Sequence, residues 1–254
     1  MRSLYSAASG MAAQQNRLDN IANNLANINT TGFKKSRESF QDLFYQELTV
    51  GGANSGQSQI QVGGGVRTAG MNRDNSAGSL TATGNPYDVA IQGDGFFVLQ
   101  TPDGNPVYTR DGSFKLDGNG TLVSSSGLRL AGDISIPTDQ VERMEILADG
   151  TVQAIFAGDN AFTAMGQIEV SSFVNPNGMR ALGGNIFAQT PESGEPQPVD
   201  VNQVELRQGY LEGSNVDVAQ ELIEMIMAQR AFELNSKAVQ AADETMQTAV
   251  NLRR

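Results

Sequence analysis

The sequence predicts an α+β fold in which long N- and C-terminal helices pair as a coiled-coil-like layer, with an antiparallel β domain inserted between them. Three observations predict it. Leu4, Met11, Leu18 and Leu25 recur every seven residues near the N-terminus, with Ile21 and Ile28 at alternate positions. Near the C-terminus Val218, Met225, Phe232, Val239 and Met246 keep the same interval. Between them, short apolar runs are punctuated by Asp-Gly pairs, the composition of tight antiparallel turns.

The first helix reads over residues 3–30. Asn16, Asn20, Asn23 and Asn27 follow at steps of four, three and four, a row about 200° around the helix from the apolar seam. Arg17 and Asp19 are the only charges in this stretch. Asn forms helices poorly and is kept where its amide finds partners, so both faces read as buried. From spacing alone, a two-helix hairpin closing on its own domain and helices packing on other chains are equal readings. The amide row tips the balance toward partners in other chains. Thr31-Gly32 carries the glycine expected past a helix end.

Residues 33–48 keep helical or irregular apolar spacing in Phe40, Leu43, Phe44 and Leu48. Residues 49–65 hold six glycines and read as an extended loop or flexible hairpin. Strand signals follow at 87–92, 96–100, 107–110, 113–117, 121–124 and 128–131. Asp94-Gly95, Asp103-Gly104, Asp111-Gly112, Asp117-Gly118 and Asp149-Gly150 mark turns, because both positions of such a pair tolerate positive φ. The proline-rich stretch 191–198 reads as a surface loop.

In the last helix the alternate heptad positions are Leu222, Gln229, Ser236, Asp243 and Val250, so only one of the two core rows is consistently apolar. Ile223, Ile226, Met227 and Leu234 add a second apolar strip. Asn215 or Asp217 caps its start, with Gln220 three residues after Asp217. The divisions are therefore 1–32 for the N-terminal helix, 33–70 for a connecting segment with a Gly-rich loop, 71–210 for the β domain and 211–254 for the C-terminal helix.

Composition removes whole classes of function. The 254 residues include no cysteine and no histidine, which deletes the thiolate nucleophile, the commonest general base and the commonest transition-metal ligands together. No metal or cofactor is expected. A net charge of −11 argues against a nucleic-acid backbone as partner. No apolar run is long enough to enter a membrane as a helix, and the start lacks the pattern of a cleaved secretory signal. The chain reads as soluble, and any route out of the cytoplasm is expected to leave its N-terminus unclipped.

Local motifs yield to plainer readings. Asp117-Gly-Asn-Gly opens like a calcium loop but lacks the glycine at position six and the glutamate at twelve, so it reads as a turn. Gly93-Asp-Gly95 and Gly63-Gly-Gly65 lack the following helix of a phosphate cradle. Asp88 with Asp94 or Asp111 forms the sort of carboxylate pair that glycoside hydrolysis needs, though nothing in the sequence marks them out. Lys34, Lys35 and Arg37 form the positive cluster and read as a solvated or inter-subunit face.

Asn23-Asn-Leu-Ala-Asn27 followed by Thr30-Thr-Gly-Phe-Lys34 resembles the N-terminal signature of the axial proteins of the bacterial flagellum, the rod and hook subunits. The stretch from Gly209-Tyr-Leu-Glu to Leu222, continuing through Gln229-Arg-Ala-Phe to Ala238, is similar to their second signature. Asp88-Val-Ala-Ile-Gln-Gly-Asp-Gly-Phe-Phe97 and Tyr108-Thr-Arg-Asp-Gly-Ser-Phe114 resemble their β domain. Gln41-Asp-Leu-Phe-Tyr-Gln46 and the loop after it are most similar to the distal-rod members.

The resemblance implies a non-enzymatic subunit, exported unfolded through the flagellar type III apparatus without signal cleavage. Copies polymerise into a hollow helical tube, the terminal helices innermost and the β domain outward, transmitting torque and forming part of the export channel. It implies a basal-body rod spanning the periplasm, with partners in the chain itself, other rod and hook subunits and the surrounding envelope ring proteins. It also implies that residues 49–65 lie against neighbouring subunits and stiffen the tube. Self-assembly is expected to rest on Leu4, Met11, Leu18, Ile21, Leu25 and Ile28, on Asn16, Asn20, Asn23 and Asn27, and on Leu222, Met225, Phe232, Val239 and Met246. The alternatives are a proximal rod or hook-type subunit and, from a different class, a secreted carboxylate-dependent enzyme acting on polysaccharide.

Overall fold

A computed structural model describes residues 2–50, 58–132, 134–137, 141–157, 161–199 and 204–251. The chain divides into two compact units, one of Met1–Ala26, Ser36–Arg73 and Asp217–Arg254, the other of Asn27–Lys35 and Asp74–Val216.

The first unit holds helix α1 (Arg2–Ala26), strands β1 (Ser36–Asp42), β2 (Tyr45–Val50), β3 (Ser58–Gly63) and β4 (Val66–Arg73), and later helix α2 (Val218–Asn251). The two helices lie side by side and antiparallel: Asn24 meets Glu221, Arg17 meets Glu224, and Gly10 faces Asn235. A Cβ at Gly10 would stand 2.9 Å from the Asn235 amide nitrogen, so a small residue sets the approach there. Asp217 caps α2, its carboxylate accepting from the backbone N–H groups of Ala219 at 2.8 Å and Gln220 at 3.3 Å.

Helix α1 stops at Ala26, short of the expected Thr30, and residues 27–32 turn instead. Asn27 and Asn29 fall in this turn, where poor helix formers compete least with the backbone.

The segment expected to be helical or irregular is β structure. β1 pairs with β4 through a bulge at Ser39/Phe40, and β2 pairs with β3 as a hairpin. Its centre, residues 51–57, lies outside the described residues. Of Ser-Arg-Glu-Ser-Phe-Gln-Asp only Phe40 favours a strand locally; pairing with β4, which brings Val66 and Thr68, supplies the rest. The expected connector 33–70 is therefore mostly a ribbon within the helical unit.

The second unit is built of short antiparallel strands: β5 (Leu80–Ala82), β6 (Val89–Gln92), β7 (Phe96–Gln100), β8 (Pro106–Thr109), β9 (Lys115–Leu116), β10 (Leu122–Val123), β11 (Arg129–Leu130), β12 (Val141–Ile146), β13 (Thr151–Phe156), β14 (Thr163–Gln167), β15 (Val170–Ser172), β16 (Arg180–Gly183), β17 (Ile186–Ala188), β18 (Gln197–Pro198), β19 (Glu205–Gln208) and β20 (Tyr210–Glu212). The main sheet runs β16-β17-β8-β7-β11-β10-β9, and β15 adds to β7 and carries β18. β12, β13 and β14 form a meander, while β19 pairs with β6 and β20 with β5. The proline-rich 191–198 is irregular until β18 at its end.

β7 is buried on both faces, which is why it reads as a continuous apolar run. Phe97 and Leu99 enter a large core with Phe114, Leu122 and Ile136, and Phe97 meets the Phe114 ring edge-on at 5.1 Å. Phe96 and Val98 enter a second, aromatic cluster with Tyr108, Phe173 and Phe187, in which the Tyr108 and Phe173 rings stand 4.7 Å apart.

Of the five Asp-Gly turns, only Gly104 and Gly150 take positive φ, +81° and +85°. Gly112 is required for another reason: a Cβ there would stand 1.7 Å from the Val89 carbonyl oxygen. Gly104→Ala is expected to cost about 1–2 kcal/mol from backbone strain alone, since nothing lies near it. Gly112→Ala should cost about 3 kcal/mol or more, because the two backbones must part. Chemical denaturation of both variants checks the order.

Candidate functional site

Two features of the structure bear on function: the faces of the terminal helices and a buried charge cluster in the β-rich unit.

On α1, Ile21 is buried, whereas Leu4, Met11, Leu18 and Leu25 are half-buried; the deeper positions are Ala7, Ala13, Asn20 and Asn24. Ile28 and Asn27 are half-buried beyond the helix, in the β-rich unit. The amide row divides. Asn20 is buried and donates to the Ser36 carbonyl at 3.1 Å. Asn16 and Asn23 are exposed, and Asn16 donates to Thr68 Oγ1 at 3.3 Å. Asn27 accepts from Thr30 Oγ1 at 3.2 Å.

The most buried amide is Asn24, 2% exposed, a residue that the four-three-four spacing passed over. It donates to Ser36 O at 3.0 Å and to the Glu221 carboxylate at 3.2 Å, and its Oδ1 accepts from Ser36 N–H at 3.0 Å. Asn24 thus treats the first residue of β1 as a sheet neighbour would. The buried amides find partners in their own chain, where spacing pointed to other chains, because the backbone of β1 runs alongside α1 and needs its polar groups satisfied.

On α2, Met225, Phe232, Val239 and Met246 are half-buried. The second row on that side is Glu221, Ala228 and Asn235, one residue earlier than the expected Leu222, Gln229 and Ser236. Leu222 is 44% exposed. With it Ile223, Ile226, Met227 and Leu234, between 52% and 66% exposed, form an uncovered apolar strip.

In the β-rich unit the charge cluster was invisible to spacing. Lys34, Arg110 and Glu212 are each less than 5% exposed. Lys34 Nζ meets Glu212 Oε1 at 2.5 Å and donates to Ser76 O at 2.7 Å, while Arg110 Nη1 meets Glu212 Oε2 at 3.3 Å. Gly78 N–H also donates to Glu212 Oε1, at 2.8 Å, and Arg110 Nη2 to Gly93 O, at 2.7 Å. Burial pushes the Lys34 pKa below the ordinary lysine value, and Glu212 opposes that shift. The reading of Lys34 as part of a solvated basic face is overturned: its ammonium is enclosed. Lys35 is paired too, with Asp74 at 3.7 Å. All three clustered residues lie in quoted motifs, Lys34 closing Thr30-Thr-Gly-Phe-Lys34, Arg110 within Tyr108-Thr-Arg-Asp-Gly and Glu212 within Gly209-Tyr-Leu-Glu, and that coincidence was the available signal.

The carboxylates weighed for hydrolysis serve turns. Asp88 accepts from Thr83 Oγ1 at 2.6 Å and Asn85 Nδ2 at 2.9 Å, and Asp111 from Thr31 Oγ1 at 2.7 Å and Ser113 Oγ at 2.8 Å.

Three family models match: "Flagella basal body rod protein" over residues 4–34, "Flagellar hook protein FlgE/F/G D1 domain" over 90–154, and "Flagellar basal body rod FlgEFG protein C-terminal" over 207–252. The chain is 44% identical to the flagellar basal-body rod protein FlgG of Borreliella burgdorferi, covering 100% of this chain and 99% of that one. It is 41% identical to the FlgG of Bacillus subtilis over the whole of both chains. Identity to the rod protein FlgF of Mesorhizobium japonicum is 34%, over 97% of each.

Asn24→Ala is expected to destabilise the chain by about 1–3 kcal/mol, since it strands the Ser36 N–H and the Glu221 carboxylate, while the Ser36 carbonyl keeps the Asn20 amide. Asn16→Ala, at an exposed position, should stay within about 0.5 kcal/mol. Thermal unfolding compares them, and amide exchange at Ser36 localises the first effect. Glu212→Gln leaves two enclosed cations without a counter-charge and should cost about 3–5 kcal/mol at neutral pH. With the folded Lys34 pKa below its unfolded value, the unfolded chain binds more protons in the alkaline window beneath the ordinary lysine value, so stability attributable to Lys34 rises with pH there. Urea unfolding should therefore show Glu212→Gln recovering part of its loss between neutral pH and the onset of tyrosine ionisation.

Proposed function

The chain belongs to the flagellar basal-body rod family, and on that premise we propose that copies of it work by polymerising into a hollow helical tube that carries torque across the envelope. A rod subunit of the distal type is a structural protein and not an enzyme. In the tube, α1 and α2 form a coiled-coil-like inner layer around the export channel, and the β-rich unit faces outward. The subunit reaches its place in the rod, across the periplasm, by unfolded export without signal cleavage. It meets further copies of itself, other rod and hook subunits and, outside them, envelope ring proteins.

The observation that carries this reading is the uncovered strip on α2. Five large apolar side chains from Leu222 to Leu234 stand exposed while the opposite side of the same helix lies against α1. An apolar patch of this kind marks an interface. A patch that meets a different surface on the next copy propagates without closing, which builds a filament. The half-buried Leu4, Met11, Leu18 and Leu25 leave apolar surface on α1 for the same layer.

Purified chain at high concentration should form filaments visible by electron microscopy. Ile226→Asp, at a position 57% exposed, should leave the monomer's circular dichroism and melting within about 0.5 kcal/mol of the parent. It should abolish both filaments and motility in a strain carrying only that variant. Unchanged assembly would remove α2 from the interface.

A further inference from the structure

One residue of the exposed α2 strip differs from the rest in carrying sulfur. The chain has no cysteine and nine methionines, so its oxidisable sulfur is all thioether. Among the described residues two methionines are exposed, Met71 at 62% on β4 and Met227 at 52% on α2. Met11, Met144, Met165, Met225 and Met246 are half-buried, and Met179 is buried.

Met227 stands among Leu222, Ile223, Ile226 and Leu234. Ile223 lies one turn before it and Leu234 two turns after it, on the same side of the helix, so the thioether sits inside the strip and not at its border. Its four neighbours are pure hydrocarbon and have no atom that accepts oxygen under mild conditions. Leucine would supply similar apolar area at this position and favours a helix as well as methionine does. What the thioether adds is reactivity.

We propose that Met227 is a peroxide-sensitive modification site at which one added oxygen bars the chain from its polymer, an inference that rests on the polymer reading above. A sulfur lone pair attacks one oxygen of hydrogen peroxide and the O–O bond breaks. The departing hydroxide takes the proton from the transferred oxygen and leaves as water, so sulfur is oxidised by two electrons and the peroxide is reduced. The sulfoxide is polar and a strong hydrogen-bond acceptor. Covering the strip would then enclose that oxygen among hydrocarbon side chains, where an unpaired polar group is costly. Once the strip is covered the sulfur is out of reach, so the modification acts on the free subunit. Reversal breaks the S–O bond, releases water and oxidises two thiols to a disulfide; with no cysteine of its own, the chain depends on an external thiol reductase.

The test treats purified monomer with hydrogen peroxide until mass spectrometry shows the Met227 peptide converted, then removes the oxidant. The concentration needed for polymerisation should rise on the order of tenfold, with the monomer's circular dichroism unchanged. Met227→Leu should polymerise equally well with and without peroxide, whereas Met71→Leu should lose polymerisation as the parent does. Methionine sulfoxide reductases for both sulfur epimers, with dithiothreitol, should restore the parent. Undiminished polymerisation of the oxidised parent would overturn the proposal, and so would peroxide sensitivity retained in Met227→Leu, a collapsed circular dichroism spectrum, or a loss that reduction does not reverse. A parent chain that forms no polymer before any oxidant is added would defeat the polymer reading, and the proposal with it.

Discussion

Lys34 and Arg110 share the buried carboxylate of Glu212, and much of the β-rich unit is arranged around that sharing. The carboxylate also takes the Gly78 N–H, so three distant stretches of chain converge on one side chain. Asn215 extends the cluster: its Oδ1 accepts from Lys35 N–H at 2.7 Å and its Nδ2 donates to Asp74 O at 2.9 Å. Residues 35, 74 and 215 adjoin the points at which the chain passes between its two units. The β-rich unit therefore fixes, with its own hydrogen bonds, where those passages occur. Replacing such a cluster with apolar residues is often neutral for stability, but breaking it by one partner is costly.

In the helical unit the corresponding device is an amide rather than a charge. Asn24 supplies an acceptor and a donor to the main chain of Ser36, as a neighbouring strand would, while keeping a bond to Glu221 on α2. One side chain joins α1, β1 and α2. A strand whose own residues have little β preference is thereby held at its first residue by a helix.

What the sequence made legible was what local physics decides. The heptad row from Val218 to Val250 runs along α2 and Asp217 caps its start, and Asp-Gly pairs between short apolar runs gave the strands between 87 and 131. What it hid depended on distant partners. β1 has little local propensity and takes its form from β4. Lys34 passed for a solvated lysine because its carboxylate lies 178 residues away. The amide row was found but its partners were not, since Ser36 contributes backbone atoms that leave no trace in residue type. The inward row of α2 was displaced by one residue because Leu222 is a stronger apolar signal than Glu221, although only the latter has a buried partner.

The two-sided burial of β7 has a further consequence. Slipping Phe96-Phe-Val-Leu99 by one position against its neighbours would exchange Phe for Phe and Val for Leu between the two clusters. The apolar residues themselves barely distinguish the correct register from that error. The glycines do. A side chain in place of Gly95 would come within 2.7 Å of Val170, and one in place of Gly112 within 1.7 Å of the Val89 carbonyl. In this sheet the fault-proofing is written in residues that have no side chain, so sequence drift among the large apolar positions is tolerable there and drift at the glycines is not.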